Sequence, residues 1–183
     1  MKRLTPKKKI GLVVVMTGHG KGKTTAALGM ILRAVGYGMK VCLIQFVKGD
    51  LFAGEYEGLK NLKGLVEHHL IGKGFVGIMG DTHTFGEHRE TAQQAVKLVK
   101  EKLVSGVYDL VICDEINNAL QLKLIDLAQI LDLLTTKPAK THLVLTGRDA
   151  HPEVIAKAHT VSEVVERKHA FHEGIEPQEG IDI

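Results

Sequence analysis

A chain of 183 residues, 44% hydrophobic and 25% charged, has the size and make-up of one globular domain able to bury a core. A net charge of +3 is no nucleic-acid signature, and no apolar run approaches the length of a membrane span. The two cysteines, Cys42 and Cys113, both fall in apolar runs, which argues against a disulfide framework and for a reducing cytoplasm.

The N-terminus is basic, with Lys2, Arg3, Lys7, Lys8 and Lys9, and no apolar segment of a secretion signal follows it. Residues 1–9 read either as a solvated tail or as an arm that folds over an anionic ligand, and residues 10–183 read as a single domain. A β-branched run over 9–16 predicts the first strand. It leads into Thr17-Gly18-His19-Gly20-Lys21-Gly22-Lys23-Thr24-Thr25, a glycine-rich loop that opens a helix over 24–35 with Ala27, Leu28, Ile31, Leu32 and Val35 at helical spacing. Gly36 and Gly38 stop that helix.

A strand over 40–46 and about a turn of helix over 55–62 come next, then a weaker strand over 66–71. Residues 72–86 hold Gly72, Gly74, Gly77, Gly80 and Gly86 and predict a long functional loop. An amphipathic helix over 87–104 precedes a buried strand over 108–113 that ends in Asp114-Glu115. A helix over 124–134, a strand over 141–146 ending at Gly147-Arg148, a helix over 152–158 and a last strand over 161–165 complete the pattern, before a polar tail from Lys168.

Continuous apolar strands alternating with helices predict an α/β fold, a mostly parallel sheet with helices on both faces. In such sheets ligands sit at the carboxyl ends of the strands. Three motifs fall there: the loop 17–25, Asp114-Glu115 and Gly147-Arg148.

The loop is built to cradle a triphosphate. Backbone N–H groups at the turn and helix start face the anion, Lys23 adds a point charge, and Thr24 offers a hydroxyl to a phosphate-bound magnesium. It is a variant P-loop. Strict spacing would put the first glycine at Thr17, and Gly18 stands one residue too close. Thr17, Gly18, His19, Gly20, Lys21, Gly22, Lys23, Thr24 and Thr25 are the candidate ATP-binding residues. The strand before Asp114-Glu115 resembles a Walker B, so Thr24, Asp114 and Glu115 are the candidate Mg²⁺ ligands, and spacing leaves open which carboxylate touches the metal. Arg148 is placed either to clamp phosphate or to pair with a surface acid. Of the ten histidines, none sits beside a cysteine at zinc spacing.

These residues resemble a family. The run 17–27, Arg33-Ala34-Val35-Gly36-Tyr37-Gly38, Gln45-Phe46-Val47-Lys48-Gly49, Asp114-Glu115, Thr146-Gly147-Arg148, Lys168-His169-Ala170-Phe171 and Gly180-Ile181-Asp182 are similar, in order, to the P-loop ATP:corrinoid adenosyltransferases. The resemblance implies a P-loop NTPase-type, RecA-like fold and ATP with Mg²⁺. It implies a Co(I) corrinoid that attacks the ribose 5′ carbon, and a triphosphate that leaves whole. Lys23 and Glu115 become the candidate catalytic residues, Arg33 and Arg148 further ATP ligands, and Phe75 the aromatic against the lower face of the corrinoid. The family often has a tryptophan where Gly77 stands, and this chain has none. Phe85 and Met79 are the other candidates for that face. The resemblance also implies a homodimer, a flavoprotein reductase supplying Co(I), and an N-terminal segment that closes over the site. The alternatives are a P-loop kinase acting on a small molecule, or a non-enzymatic ATP-binding module.

Overall fold

The structure, a computed structural model, describes residues 6–49, 52–62, 64–74, 76–77 and 81–183. In chain order the elements are β1 (Val13–Thr17), α1 (Lys23–Val35), β2 (Val41–Gln45), α2 (Glu55–Lys60), β3 (Val66–Leu70), α3 (Phe85–Val104) and β4 (Leu110–Asp114). They continue with α4 (Ile116–Gln121), α5 (Leu127–Thr136), β5 (His142–Thr146), α6 (Pro152–Lys157), β6 (Thr160–Glu163) and a 3-10 turn, Ala170–Glu173.

The strands form one sheet in the order β3-β2-β4-β5-β1-β6, and every pairing is parallel. All five residues of β2 and of β4 are buried, because both strands are central and covered on both faces. Their side chains alternate between two cores. Leu43, Ile112 and Val144 pack with Ala27 and Ile31 of α1; Ile44, Val111 and Leu145 pack with Val99 of α3 and Ile130 of α5. The expected α/β architecture with helices on both faces is the one found.

The differences in element bounds have local causes. The first strand starts at Val13 rather than at residue 9, since Gly11 has already turned to donate its N–H to Ala139 O at 2.7 Å. The last strand covers Thr160–Glu163 and all four residues are exposed, as befits a sheet edge. Helix α3 begins two residues before the expected 87 because Thr84 and Glu87 form a reciprocal capping box. Helix α5 begins at Leu127, capped by Asp126 and Gln129, while Leu124 and Ile125 of the expected helix are buried in the turn before it. Helix α4 and the 3-10 turn in the tail were not expected: each is too short to show a helical period.

Strand β5 lies between β1 and β4, so the glycine-rich loop and the acidic pair are separated by one strand whose last residue is Thr146. That placement determines the site.

Candidate active site

The loop after β1 rests on the chain that follows β6. Gly20 N donates to Val164 O at 2.7 Å. A Cβ on Gly20 would lie 2.8 Å from the Val165 carbonyl carbon, and one on Gly18 would lie 2.5 Å from Val164 O. These two glycines therefore permit close backbone approach. Gly22 has another role: its φ is 118° and open space surrounds the position of a Cβ. It starts α1, whose first turn has no side-chain cap and no acid, so free N–H groups face the adjoining cleft. Gly20→Ala is expected to destabilise the protein by about 1–3 kcal/mol through overpacking. It should also weaken ATP binding as the loop shifts, read by urea unfolding and by calorimetric titration with ATP.

The cleft has a volume of about 700 Å³. Its walls include His19, Gly20, Lys21, Gly22, Lys23, Thr24 and Thr25 from the loop and α1, and Glu115, Asn118 and Arg148 from the neighbouring strand ends. Lys23 Nζ donates to Gly20 O at 2.8 Å, and burial, then the Arg148 charge, lowers its pKa. His19 Nε2 lies 2.9 Å from Asp149 Oδ1, and Lys21 Nζ 2.9 Å from Asp182 Oδ1. Arg148 is exposed at the rim, with its backbone N–H donating to Asn118 Oδ1 at 2.9 Å. Lys48 and Glu55, paired at 2.6 Å, and residues 180–183 of the tail close the other side.

The adjacent acids point to different places. Asp114 is fully buried. Its Oδ1 accepts from Thr24 Oγ1 at 2.9 Å and from Thr146 Oγ1 at 2.6 Å, and its Oδ2 accepts from Gln45 Nε2 at 2.9 Å. Glu115 has a φ of 62°, and its N–H donates to Thr146 Oγ1 at 2.8 Å. That left-handed residue turns its side chain into the cleft wall. Burial, then the Asp114 charge, raises its pKa to about 7, and Glu115 Oε2 is a buried oxygen without a hydrogen-bond partner. An orphaned carboxylate oxygen and the Thr24 hydroxyl in one wall form the oxygen donor set that suits a hard divalent cation.

Some sequence-predicted residues lie elsewhere. Thr17 is 7% exposed and its Oγ1 accepts from Ala150 N at 3.0 Å, so it braces the loop after β5 rather than lining the cleft. Gly18 is likewise behind the cleft wall, against Val164. Arg33 sits exposed in the last turn of α1, ten residues and about 15 Å from Lys23 along the helix, outside the cleft wall. Phe75 and Met79 lie outside the described residues. Phe85 opens α3 and is 52% exposed. Gln45 and Thr146, given no role on the sequence, hold Asp114; the signal is a polar residue at the carboxyl end of each of two otherwise apolar runs. Lys48, Glu55, Asn118 and Asp182 were also assigned no role.

Comparison with known proteins supplies a relationship. A family model described as "ATP:corrinoid adenosyltransferase BtuR/CobO/CobP" matches residues 9–183. The corrinoid adenosyltransferase of Pseudomonas aeruginosa is 37% identical over 173 residues, covering 94% of this chain and 84% of its own. That of Escherichia coli K12 is 36% identical over 172 residues, covering 94% and 85%. The Salmonella typhimurium protein named corrinoid adenosyltransferase CobA is 34% identical over 177 residues, covering 94% and 85%. In fold, a KaiC-like protein of Pyrococcus horikoshii OT3 aligns with a TM-score of 0.50 at 17% identity, over 87% of this chain and 75% of its own, in line with a RecA-like α/β build. Among the described residues no helix is long and apolar enough to cross a membrane. With the matched region running through the loop, the acidic pair and the tail, the chain belongs to the ATP:corrinoid adenosyltransferase family.

Proposed function

We propose that this protein transfers the 5′-deoxyadenosyl group of ATP to the cobalt of a Co(I) corrinoid and releases triphosphate. The observation that carries the reading is the family match over residues 9–183, which falls on a cleft equipped to hold a polyphosphate. The nucleophile is the electron pair on Co(I). It attacks C5′, a Co–C bond forms, the C5′–O bond breaks, and that bonding pair departs with the triphosphate. No general base is required. The protein must hold C5′ in line with the cobalt and neutralise the charge that grows on the leaving oxygen.

The chain's own groups can do the second task. The free N–H groups at the start of α1 and the Lys23 ammonium face the triphosphate, with Arg148 at the rim as a further cation. Thr24 Oγ1 and Glu115 would hold Mg²⁺, which supplies additional positive charge to the phosphate oxygens. Asp114 acts through Thr24, whose hydroxyl it fixes. In this reading His19, Gly20, Lys21, Gly22 and Thr25 contact the nucleotide, and Phe75 meets the corrinoid. The family resemblance supports a homodimer, a flavoprotein reductase that delivers Co(I), and an arm of residues 1–9 closing over a single domain of 10–183. Two buried free thiols, Cys42 and Cys113, fit a cytoplasmic setting.

The test is an anaerobic reaction of the protein with ATP, magnesium and chemically reduced cob(I)alamin. Loss of the Co(I) absorbance, a light-sensitive alkylcorrinoid and one triphosphate per adenosyl group are expected. ADP and phosphate with no Co–C bond would overturn the assignment in favour of an ordinary P-loop kinase or ATPase.

A further inference from the structure

A row of polar side chains crosses the sheet at the carboxyl ends of β3, β2, β4 and β5. Gln45 and Asp114 are register partners, and His68, two residues back from Gln45's partner Leu70, reaches across from the edge strand. His68 Nε2 is 2.8 Å from Gln45 Oε1, Gln45 Nε2 is 2.9 Å from Asp114 Oδ2, and Asp114 Oδ1 meets Thr146 and Thr24. Gln45, Asp114 and Thr146 are all fully buried. At its outer end His68 lines a second cavity of about 430 Å³ with Tyr56, Leu59, Lys60, Val66 and Leu70. The row thus runs from the far edge of the sheet to the nucleotide cleft.

Chemistry fixes the direction of every bond. An ionised carboxylate only accepts, so Gln45 must present its NH₂ group to Asp114. Its amide oxygen then faces His68, and two acceptors cannot bond, so His68 Nε2 must carry the proton and donate it. If the Gln45 amide turned over, an oxygen would be set against the Asp114 carboxylate between two fully buried side chains. His68 opposes that turn, because its N–H needs the amide oxygen as acceptor.

We propose that Gln45 and His68 are positioning residues of the metal–nucleotide site: His68 locks the Gln45 amide, and Gln45 holds the Asp114 carboxylate against the Thr24 hydroxyl. The inference rests on the assignment of magnesium to Thr24 and Glu115. Neither residue touches the nucleotide or the metal; both act through Asp114. Partners behind the ligands commonly set metal affinity within a factor of 10–100.

The experiment is a calorimetric titration of ATP binding to the full-length protein at rising magnesium concentration. It compares the wild type, Gln45→Met, His68→Phe, His68→Gln and the Gln45→Met/His68→Phe double variant. Gln45→Met should raise the magnesium midpoint about 10–100-fold. His68→Phe should raise it about two- to tenfold, the worth of one hydrogen bond. It should add nothing in the Gln45→Met background, because its effect passes through Gln45. His68→Gln, which can still donate an N–H, should restore most of the loss. Metal-free ATP affinity should remain within about twofold of wild type, since neither side chain lines the nucleotide cleft.

A His68→Phe midpoint at the wild-type value overturns the relay, and so does an equal His68→Phe effect in both backgrounds. A change confined to melting temperature or to metal-free ATP affinity overturns it as well. If Gln45→Met does not fold, the two single His68 variants decide. A wild type whose ATP binding ignores magnesium removes the metal assignment and the relay with it. A normal wild-type midpoint with unmoved variants removes the relay alone.

Discussion

Lys23→Ala lowers the rate of adenosyl transfer about 10²–10³-fold, the usual cost of deleting one electrostatic contact to a developing anion. Lys23 Nζ sits in the cleft wall, held at 2.8 Å by Gly20 O, and its own loop aims it at the same space as the N–H groups of α1. Before the C5′–O bond breaks, the triphosphate already carries charge that Lys23 can meet. As the bond breaks, the leaving oxygen gains more. The loss should therefore be greater in the chemical step than in ATP affinity. Single-turnover decay of the Co(I) absorbance with saturating ATP measures the first, and equilibrium titration with ATP the second. Near-normal turnover would remove Lys23 from the reaction. A loss confined to ATP affinity would make it a binding residue alone.

Glu115→Gln should abolish the magnesium dependence of ATP binding and, in the metal-free protein, raise stability at alkaline pH. Burial, then Asp114, lifts Glu115 from an ordinary 4.5 to about 7. In the unfolded chain the group loses its proton near 4.5; in the folded protein it keeps it until about 7. Between those limits the folded state binds more protons, so this residue's contribution falls as pH rises and is fully lost above about 7. The shift corresponds to about 3 kcal/mol. Glutamine stays neutral at every pH. The variant should match wild type at pH 4.5 and exceed it by about that amount at pH 8. Urea unfolding of both proteins at the two pH values, without magnesium, gives the difference directly. Taking the difference cancels the contributions of His68 and His142, whose pKa values burial lowers and which titrate in both proteins. Equal stability at pH 8 would show that Glu115 is not held uncomfortably in the wall. Added magnesium should stabilise the wild type and leave the variant unchanged.

Much of the fold was legible because its signals are local. The apolar runs that became β2, β4 and β5 are buried on both faces and carry no competing pattern. The start of α1 was legible for the same reason: glycine, lysine and threonine in that order have a restricted set of uses. The division of labour between Asp114 and Glu115 was not. It depends on one left-handed φ at Glu115, which sends neighbouring carboxylates to a buried hydrogen-bond row and to the cleft wall. Thr17 and Gly18 open the glycine-rich loop, and the spacing does not show which way they face. Their positions are set by Ala150 and Val164, which are remote in sequence. Arg33 was carried by resemblance alone, and the length of α1 keeps it from Lys23. Gln45 and His68 come together only once β3 takes its place beside β2, which no local pattern records.

Strand β1 finds both of its neighbours near the other end of the chain. Val14 pairs with Val144 on one side and Thr160 on the other, and Gly20 leans on Val164. During synthesis the phosphate-binding sequence leaves the ribosome before either of the strands that β1 pairs with. The middle strands β2, β3 and β4 can associate sooner, since their pairings with one another lie between residues 41 and 114. Nucleotide therefore cannot guide the early stages of assembly. A growing chain that ends before His142 carries the full glycine-rich motif without either of the strands that β1 pairs with.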